Sequence, residues 1–393
     1  MKNLQTVLLL VMLVYPSSCQ ESGKASENRI NRLIGDIREK HIPDTRTGIF
    51  EIHAGRSGNI WLIEGVTDHP ESLNILLESL EQFEIQYRNE VTVLPSPELE
   101  GKIYGLVRVS VANLRTHPSH TAELNTQSLL GTPLKLLQKQ PGWYRVQTPD
   151  RYIGWLDEEG LTPMDEDAFK QYRAGNKIIF TGLWGNSYTD PGADDLPVSD
   201  LVAGAVLEMA GDQGNYYRVR YPDGRLAYVR KSESEPFSEW IGNRDPDAEN
   251  LVYVARQLMG VPYLWGGTSS KGVDCSGYTK TVYFLNGMIL PRDASQQDDV
   301  GMLVDEKKYF NRLQPGDLLF FGSAATDSTA ERVVHVGMWI GEMKYIHASG
   351  DVHISSMDQD DPEFDEYNYN RYLKSRRILN SQYMDQLFIS QFY

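Results

Sequence analysis

The chain is short of cysteine, of basic charge and of long apolar runs, and each shortage narrows the choice. Only two cysteines, Cys19 and Cys275, stand among its 393 residues. Two thiols build neither a disulfide framework nor a thiolate zinc cluster. Neither cysteine has a close-spaced Cys or His partner, so the pattern holds no thiolate metal motif and asks for no cofactor. Lys and Arg number 38 against 54 Asp and Glu, a formal net charge of −16. So acidic a chain has no global attraction for phosphate backbones, which sets nucleic acid aside as a partner. Anionic surfaces are disfavoured on the same ground. The apolar run at residues 7–15 falls short of the roughly 20 residues a membrane helix needs. What is present is a globular composition, 40% hydrophobic and 23% charged. At about 150 residues per domain, the length predicts two or three domains.

The apolar run follows Lys2 and leads into Pro16-Ser17-Ser18-Cys19. A positive start, a short apolar core and small residues at the cut predict a secretory signal peptide over residues 1–19. The small residues ending in Cys19 resemble the lipobox of bacterial lipoproteins, with Pro16 standing where that box carries an aliphatic residue. The resemblance implies a lipid anchor on Cys19. The processed chain then has one thiol, Cys275, in an export compartment. An unpaired thiol there is a candidate reactive group; the plain alternative is a buried apolar Cys.

Residues 26–40 carry charged and aliphatic residues at helical spacing, and 48–52, 59–65 and 90–94 read as short strands. Leu73, Leu76, Leu77, Leu80 and Phe83 share one face of a helix over 70–83. These elements predict a small α/β unit over 24–100, without chemistry of its own. An internal repeat follows. Trp143-Tyr144-Arg145-Val146 leads through Pro149-Asp150 to Tyr152-Ile153-Gly154-Trp155-Leu156. Tyr216-Tyr217-Arg218-Val219 leads through Pro222-Asp223-Gly224 to Leu226-Ala227-Tyr228-Val229. Each copy reads as strand, tight turn, strand. The pattern resembles bacterial SH3-like β-barrels, in tandem over 104–165 and 176–235. Residues 246–259 read as a helix and open a last domain over 245–393.

That last domain carries the chemistry. Gly272-Val273-Asp274-Cys275-Ser276-Gly277-Tyr278 precedes an apolar run of helical length, so Cys275 opens a helix. Backbone N–H groups and the macrodipole favour an anion there, which predicts a stabilised thiolate. His335 and His347 lie on two expected strands joined by a hairpin at Gly341-Glu342-Met343. A thiol needs a base, and the base needs an orienting partner; Cys275, His335 and His347 supply the three. Each alone has a plainer reading: His347 as a structural histidine, Tyr263 and Trp265 as core aromatics. His353 lies nearby but outside the pattern.

Asp274-Cys275-Ser276-Gly277, His335-Val336-Gly337 and Ile346-His347-Ala348 resemble the motifs of the NlpC/P60 papain-like cell-wall cysteine peptidases. With tandem SH3-like domains before them, the chain is similar to the γ-D-glutamyl-L-diamino-acid endopeptidases, also called dipeptidyl-peptidase VI. The resemblance implies an α+β architecture: a papain-like domain preceded by two SH3-like barrels and the small N-terminal unit. It implies Cys275 as nucleophile, His335 as general base and acid, His347 as orienter, and Tyr263 beside the oxyanion. It also implies that Glu123, Tyr152 and Asp274 hold the free amine of an N-terminal L-Ala. Ser276, Arg292, Asp293 and Ser295 would then meet the D-Glu portion, with the Arg292 fork on its carboxylate. The expected substrate is a murein tripeptide or tetrapeptide, cut to release L-Ala-γ-D-Glu in cell-wall recycling. The expected place is the periplasm or, as a lipoprotein, a membrane of a Gram-negative-type bacterium. Two other readings stay open: a non-catalytic peptidoglycan-binding protein, and a papain-like amidase or acyltransferase on another substrate.

Overall fold

The computed structural model describes residues 18–192, 196–244, 246–381 and 384–393. Residues 1–17 of the expected leader and the Cys19 side chain lie outside the described residues. The chain divides into two compact units, one ending at Leu94 and the other running from Pro95 to Tyr393. In the first unit, strands Phe50–Ser57 and Ile60–Thr67 form a hairpin, and helix Pro70–Gln82 returns the chain to the parallel strand Tyr87–Val93. Pro70 starts the helix where its missing N–H costs nothing. Leu73, Leu76 and Leu80 pack with Ile30, Ile34 and Ile37 of the long helix Ser18–His41. Phe83, expected on that face, lies past the helix end and is exposed.

The second unit begins with two seven-stranded barrels. In the first, Tyr104–Val107 lies between Leu161–Met164 and Pro133–Gln140, and the order continues through Trp143–Gln147, Ile153–Asp157, Val111–Arg115 and Leu124–Leu129. In the second, Lys177–Phe180 lies between Ser234–Pro236 and Val206–Gln213, followed by Tyr216–Arg220, Leu226–Arg230, Trp184–Tyr188 and Pro197–Val202. The two orders correspond strand for strand, so the sequence repeat is a repeat of the fold. Residues 95–100, placed with the N-terminal unit from sequence, belong to the first barrel. Ser96 N–H donates to Leu137 O at 2.8 Å, and Leu99 is buried in the barrel core.

The last domain sets helix Cys275–Phe284 against an antiparallel six-stranded sheet. Its order is Met302–Asp305, Tyr372–Arg377, Leu318–Ser323, Arg332–Gly341, Lys344–Ser349, Asp351–Ser356. Tyr278 and Val282 of the helix share a core with Leu318, Phe320, Val336, Met338, Ile346 and Ala348. Alternate residues of the same strands, Leu319, Phe321, Trp339 and Tyr345, build a second core with Phe310 and Tyr372. This sheet is thus buried on both faces, which explains the apolar runs in its strands. The strands carrying His335 and His347 turn at Glu342 and Met343, both at positive φ (52° and 59°), as a two-residue hairpin requires.

Candidate active site

Cys275 is the first residue of its helix, and Asp274 is the cap. The Asp274 carboxylate accepts from Gly277 N–H at 2.7 Å and from Gly266 N–H at 2.9 Å. The same carboxylate therefore fixes the helix start and the glycine loop beside it. Gly277 has no room for a side chain: a Cβ there would stand 1.9 Å from the Gly267 carbonyl oxygen. The thiol is buried. Burial, and then the nearby Asp274 charge, push its pKa up to about 11, against the pull of the Val336 and Ser276 N–H groups. Burial thus opposes the stabilised thiolate expected from the helix start. The Val336 N–H also places Cys275 against the strand that carries His335.

A bulge aims His335. The pairing of Arg332–Gly341 with Leu318–Ser323 slips between Phe321 and Gly322, which face His335 and Val333. A bulge re-aims the side chain beside it. His335 Nε2 meets His347 Nδ1 at 2.8 Å, and His347 Nε2 meets Ser355 Oγ at 3.2 Å. With Nε2 engaged, Nδ1 is the His335 nitrogen left for a thiol proton. Burial lowers the His335 pKa to about 4 and takes that of His347 well below the usual imidazole value. Both rings are neutral at pH 7. His353 is half-buried and bonds to Asp351, although its ring lies 4.5 Å from that of His347. Tyr263 is half-buried; burial first, then the Cys275 charge, raise its phenol, which puts it within electrostatic reach of the thiol.

The first barrel supplies a wall. Trp265 Nε1 donates to Glu123 Oε1 at 2.7 Å, and Tyr152 Oη donates to Asp293 Oδ2 at 3.1 Å. Trp265 is 62% exposed, so it is not the core aromatic its neighbours suggest. Thr268 N–H donates to Gln127 Oε1 at 3.1 Å. Lys280, on the nucleophile helix, forms a buried ion pair with Asp150. Burial lowers the Lys280 pKa against the opposing pull of Asp150. Asp293 and Ser295 are half-buried at the start of the short helix Ala294–Gln297.

Arg292 departs from expectation. It is 1% exposed, and its fork is filled from within the protein. Nη2 and Nη1 donate to Asp274 at 2.5 and 3.1 Å, Nη1 also to Ser276 Oγ at 3.0 Å, and Nε to Thr126 Oγ1 at 3.0 Å. Burial works against its charge, but the Asp274 carboxylate overrides this and raises its pKa. Four of its five N–H groups are so engaged, which leaves no free two-pronged face for a ligand carboxylate. Asp274 and Ser276 are committed to the same buried network, and the Asp274 oxygens are saturated with donors before any amine arrives. Asp274, Ser276 and Arg292, expected at the ligand, bond to one another here and are joined by Thr126, which sequence reasoning missed. Ser355, Trp265, Asp150 and Lys280 were missed as well. Trp265 alone had a signal, its place between Tyr263 and the Gly266-Gly267 pair.

A thiol opening a helix, packed on an antiparallel sheet that carries an ordered pair of histidines, defines a papain-like cysteine–histidine site. The chain belongs to the NlpC/P60 family, whose pattern matches residues 260–376. The pattern described as bacterial dipeptidyl-peptidase Sh3 domain matches residues 114–161. A γ-D-glutamyl-L-lysine dipeptidyl-peptidase of Bacillus cereus is 32% identical over 234 residues, 58% of this chain and 67% of that protein. Dipeptidyl-peptidase 6 of Lysinibacillus sphaericus is 27% identical over 65% of this chain and 93% of its own length. The crystal structure of an NlpC/P60 family protein from Bacillus cereus superposes with a TM-score of 0.59 at 26% identity, covering 70% of this chain and 99% of that one.

Proposed function

We propose that this protein is a cysteine peptidase that hydrolyses the bond between γ-D-glutamate and the diamino acid in peptidoglycan peptides with a free N-terminal L-Ala, releasing L-Ala-γ-D-Glu. The observation that carries the reading is the Cys275–His335–His347 arrangement beside a wall bearing Glu123 and Tyr152. His335 Nδ1 takes the Cys275 proton as sulfur attacks the γ-carbonyl carbon of D-Glu. The negative oxygen is met by the Cys275 N–H and the Tyr263 hydroxyl. As the tetrahedral intermediate collapses, the His335 imidazolium gives its proton to the departing α-amine. A thioester of L-Ala-γ-D-Glu remains on Cys275. Water then attacks it, losing its proton to His335, and the thiolate leaves and recovers that proton. Glu123, and Tyr152 with its partner Asp293, receive the L-Ala ammonium. Export with an acyl anchor on Cys19 belongs to the same proposal.

Mass spectrometry of L-Ala-γ-D-Glu-diaminopimelate incubated with wild type and with Cys275→Ala tests the reaction. Wild type alone is expected to release L-Ala-γ-D-Glu. No release by either turns the reading to a binding protein. The intact mass of the membrane-fraction chain reads the anchor: a mass without added acyl chains removes it.

A further inference from the structure

His347 does not end the chain of groups behind His335. Its strand, Lys344–Ser349, pairs with Asp351–Ser356 so that Tyr345 stands directly opposite Ser355. Ser355 is thereby the diagonal neighbour of His347, a distance side chains bridge. Its oxygen lies 3.2 Å from His347 Nε2, and the pairing sets its hydroxyl beside the Tyr345 phenol. Tyr345 Oη donates to Asp365 Oδ2 at 2.6 Å. Asn368 Nδ2 donates to both Tyr345 Oη, at 3.1 Å, and Asp365 Oδ2, at 2.6 Å. Ser355, His347 and His335 are buried, and Tyr345 is fully so.

We propose that Asp365 is the anionic end of a buried hydrogen-bond relay, running through Tyr345, Ser355 and His347, that fixes the tautomer of His335. The direction follows from donor and acceptor counts. A carboxylate only accepts, so Tyr345 donates to it. The Tyr345 oxygen then accepts from Ser355, and the Ser355 oxygen accepts from His347 Nε2–H. That leaves His347 Nδ1 as an acceptor, so His335 carries its proton on Nε2. His335 Nδ1 is a bare lone pair, which is what the Cys275 proton requires. No proton travels the relay; it orients. Hydrogen bonds from Asn368 and Tyr345 outweigh burial and hold the Asp365 carboxyl below its usual range, so the end stays charged. Arg371, Asp365, His353 and Asp274 face His335, and His353, Asp365 and Arg371 face His347. The Asp365 charge favours the imidazolium that forms in each half-reaction.

The relay makes Asp365 and Ser355 positioning residues for the proposed peptidase. Asp365 also caps helix Glu366–Asn370 through Asn368 N–H. Asp365→Asn keeps the cap, because Asn caps as well as Asp, but removes the charge and puts donors where only acceptors stood. It is expected to lower kcat about 10- to 100-fold with KM unchanged. This is less than the roughly 10⁴-fold lost when a directly bonded triad carboxylate is neutralised. Its acidic limb moves to lower pH, since the carboxylate no longer raises the imidazole pKa. Ser355→Ala is expected to lower kcat likewise, and Ser355→Thr, which keeps the hydroxyl, to restore it. ¹⁵N NMR of the histidine-labelled wild-type chain, assigned with His347→Gln, should place the His347 proton on Nε2. A proton on Nδ1 overturns the relay without any variant having to fold. So does an Asp365→Asn enzyme with wild-type kcat and an unmoved acidic limb. Failure of wild type to cleave the tripeptide strikes the proposed function instead, because the tautomer is read without substrate.

Discussion

Cys275 and His335 are each moved by burial, and in opposite senses. Burial disfavours charge, so the thiol rises to about 11 and the imidazole falls to about 4. Between those values both groups are neutral, and His335 is free to act as base. Activity is therefore expected to rise as pH climbs through about 4, where the imidazole loses its proton, and to hold level until the thiol ionises near 11. The signs also bear on stability. An imidazole lowered on folding binds more protons in the unfolded chain between about 4 and its ordinary value near 6.5. Stability from His335 is thus full above 6.5 and is lost as pH falls toward 4. A kcat/KM profile measured from pH 3.5 to 10.5 checks the first point. A narrow bell centred near neutrality would show a resting thiolate–imidazolium pair instead. The motif around Cys275 made the nucleophile legible, but the thiol's charge was not. A helix start is visible in sequence, whereas burial depends on strands that arrive some 60 residues later.

The elements show the same division between local and distant information. Helix Cys275–Phe284 opens where Asp274-Cys275-Ser276-Gly277 says it should, because a cap and its first turn lie within four residues. The hairpin at Glu342-Met343 and the paired Tyr-Arg-Val strands of both barrels were legible for the same reason. Arg292 was misread because its partners Asp274 and Thr126 come from other elements, the second from another domain. Ser355 and Asp365 gave no signal, since nothing in sequence says which residue will stand opposite Tyr345. Gly277 joins both kinds of information. Its N–H completes the local cap, while its missing Cβ admits the distant Gly267 carbonyl. Alanine in a helix gains about 0.5–1 kcal/mol over glycine. At position 277 that gain is overridden, because backbone must yield where a Cβ would stand 1.9 Å from oxygen. Gly277→Ala is expected to keep its helix content by circular dichroism and to lose about 100-fold in kcat, the scale of an ångström's displacement at a reacting group. Wild-type kcat in that variant would mean that the glycine loop, and not the nucleophile, gives way.

At the scale of the whole molecule, the first barrel and the papain-like domain are joined by polar contacts rather than by a shared core. Trp265 meets Glu123, Tyr152 meets Asp293, Arg292 meets Thr126, and Lys280 meets Asp150. Buried or paired charges of this kind are costly to misalign, so they set the position of the wall sharply. In the proposed function, a wall so placed shortens the cleft on the side where the substrate begins. In the same proposal Glu123 is the carboxylate that receives the peptide's first amine. An ammonium on a carboxylate is a charge-assisted hydrogen bond, worth about 1.5–3 kcal/mol. An acylated nitrogen forfeits this and brings added bulk against the wall. L-Ala-γ-D-Glu-diaminopimelate is therefore expected to be cleaved at least about 10- to 100-fold faster, in kcat/KM, than its N-acetylated form. Glu123→Gln should narrow that gap by slowing the free peptide and leaving the acetylated one unchanged. Equal rates on both peptides with wild type would remove amine recognition from the barrel. The fold would then be a cysteine peptidase open to longer chains, and the wall a device for holding the two domains together.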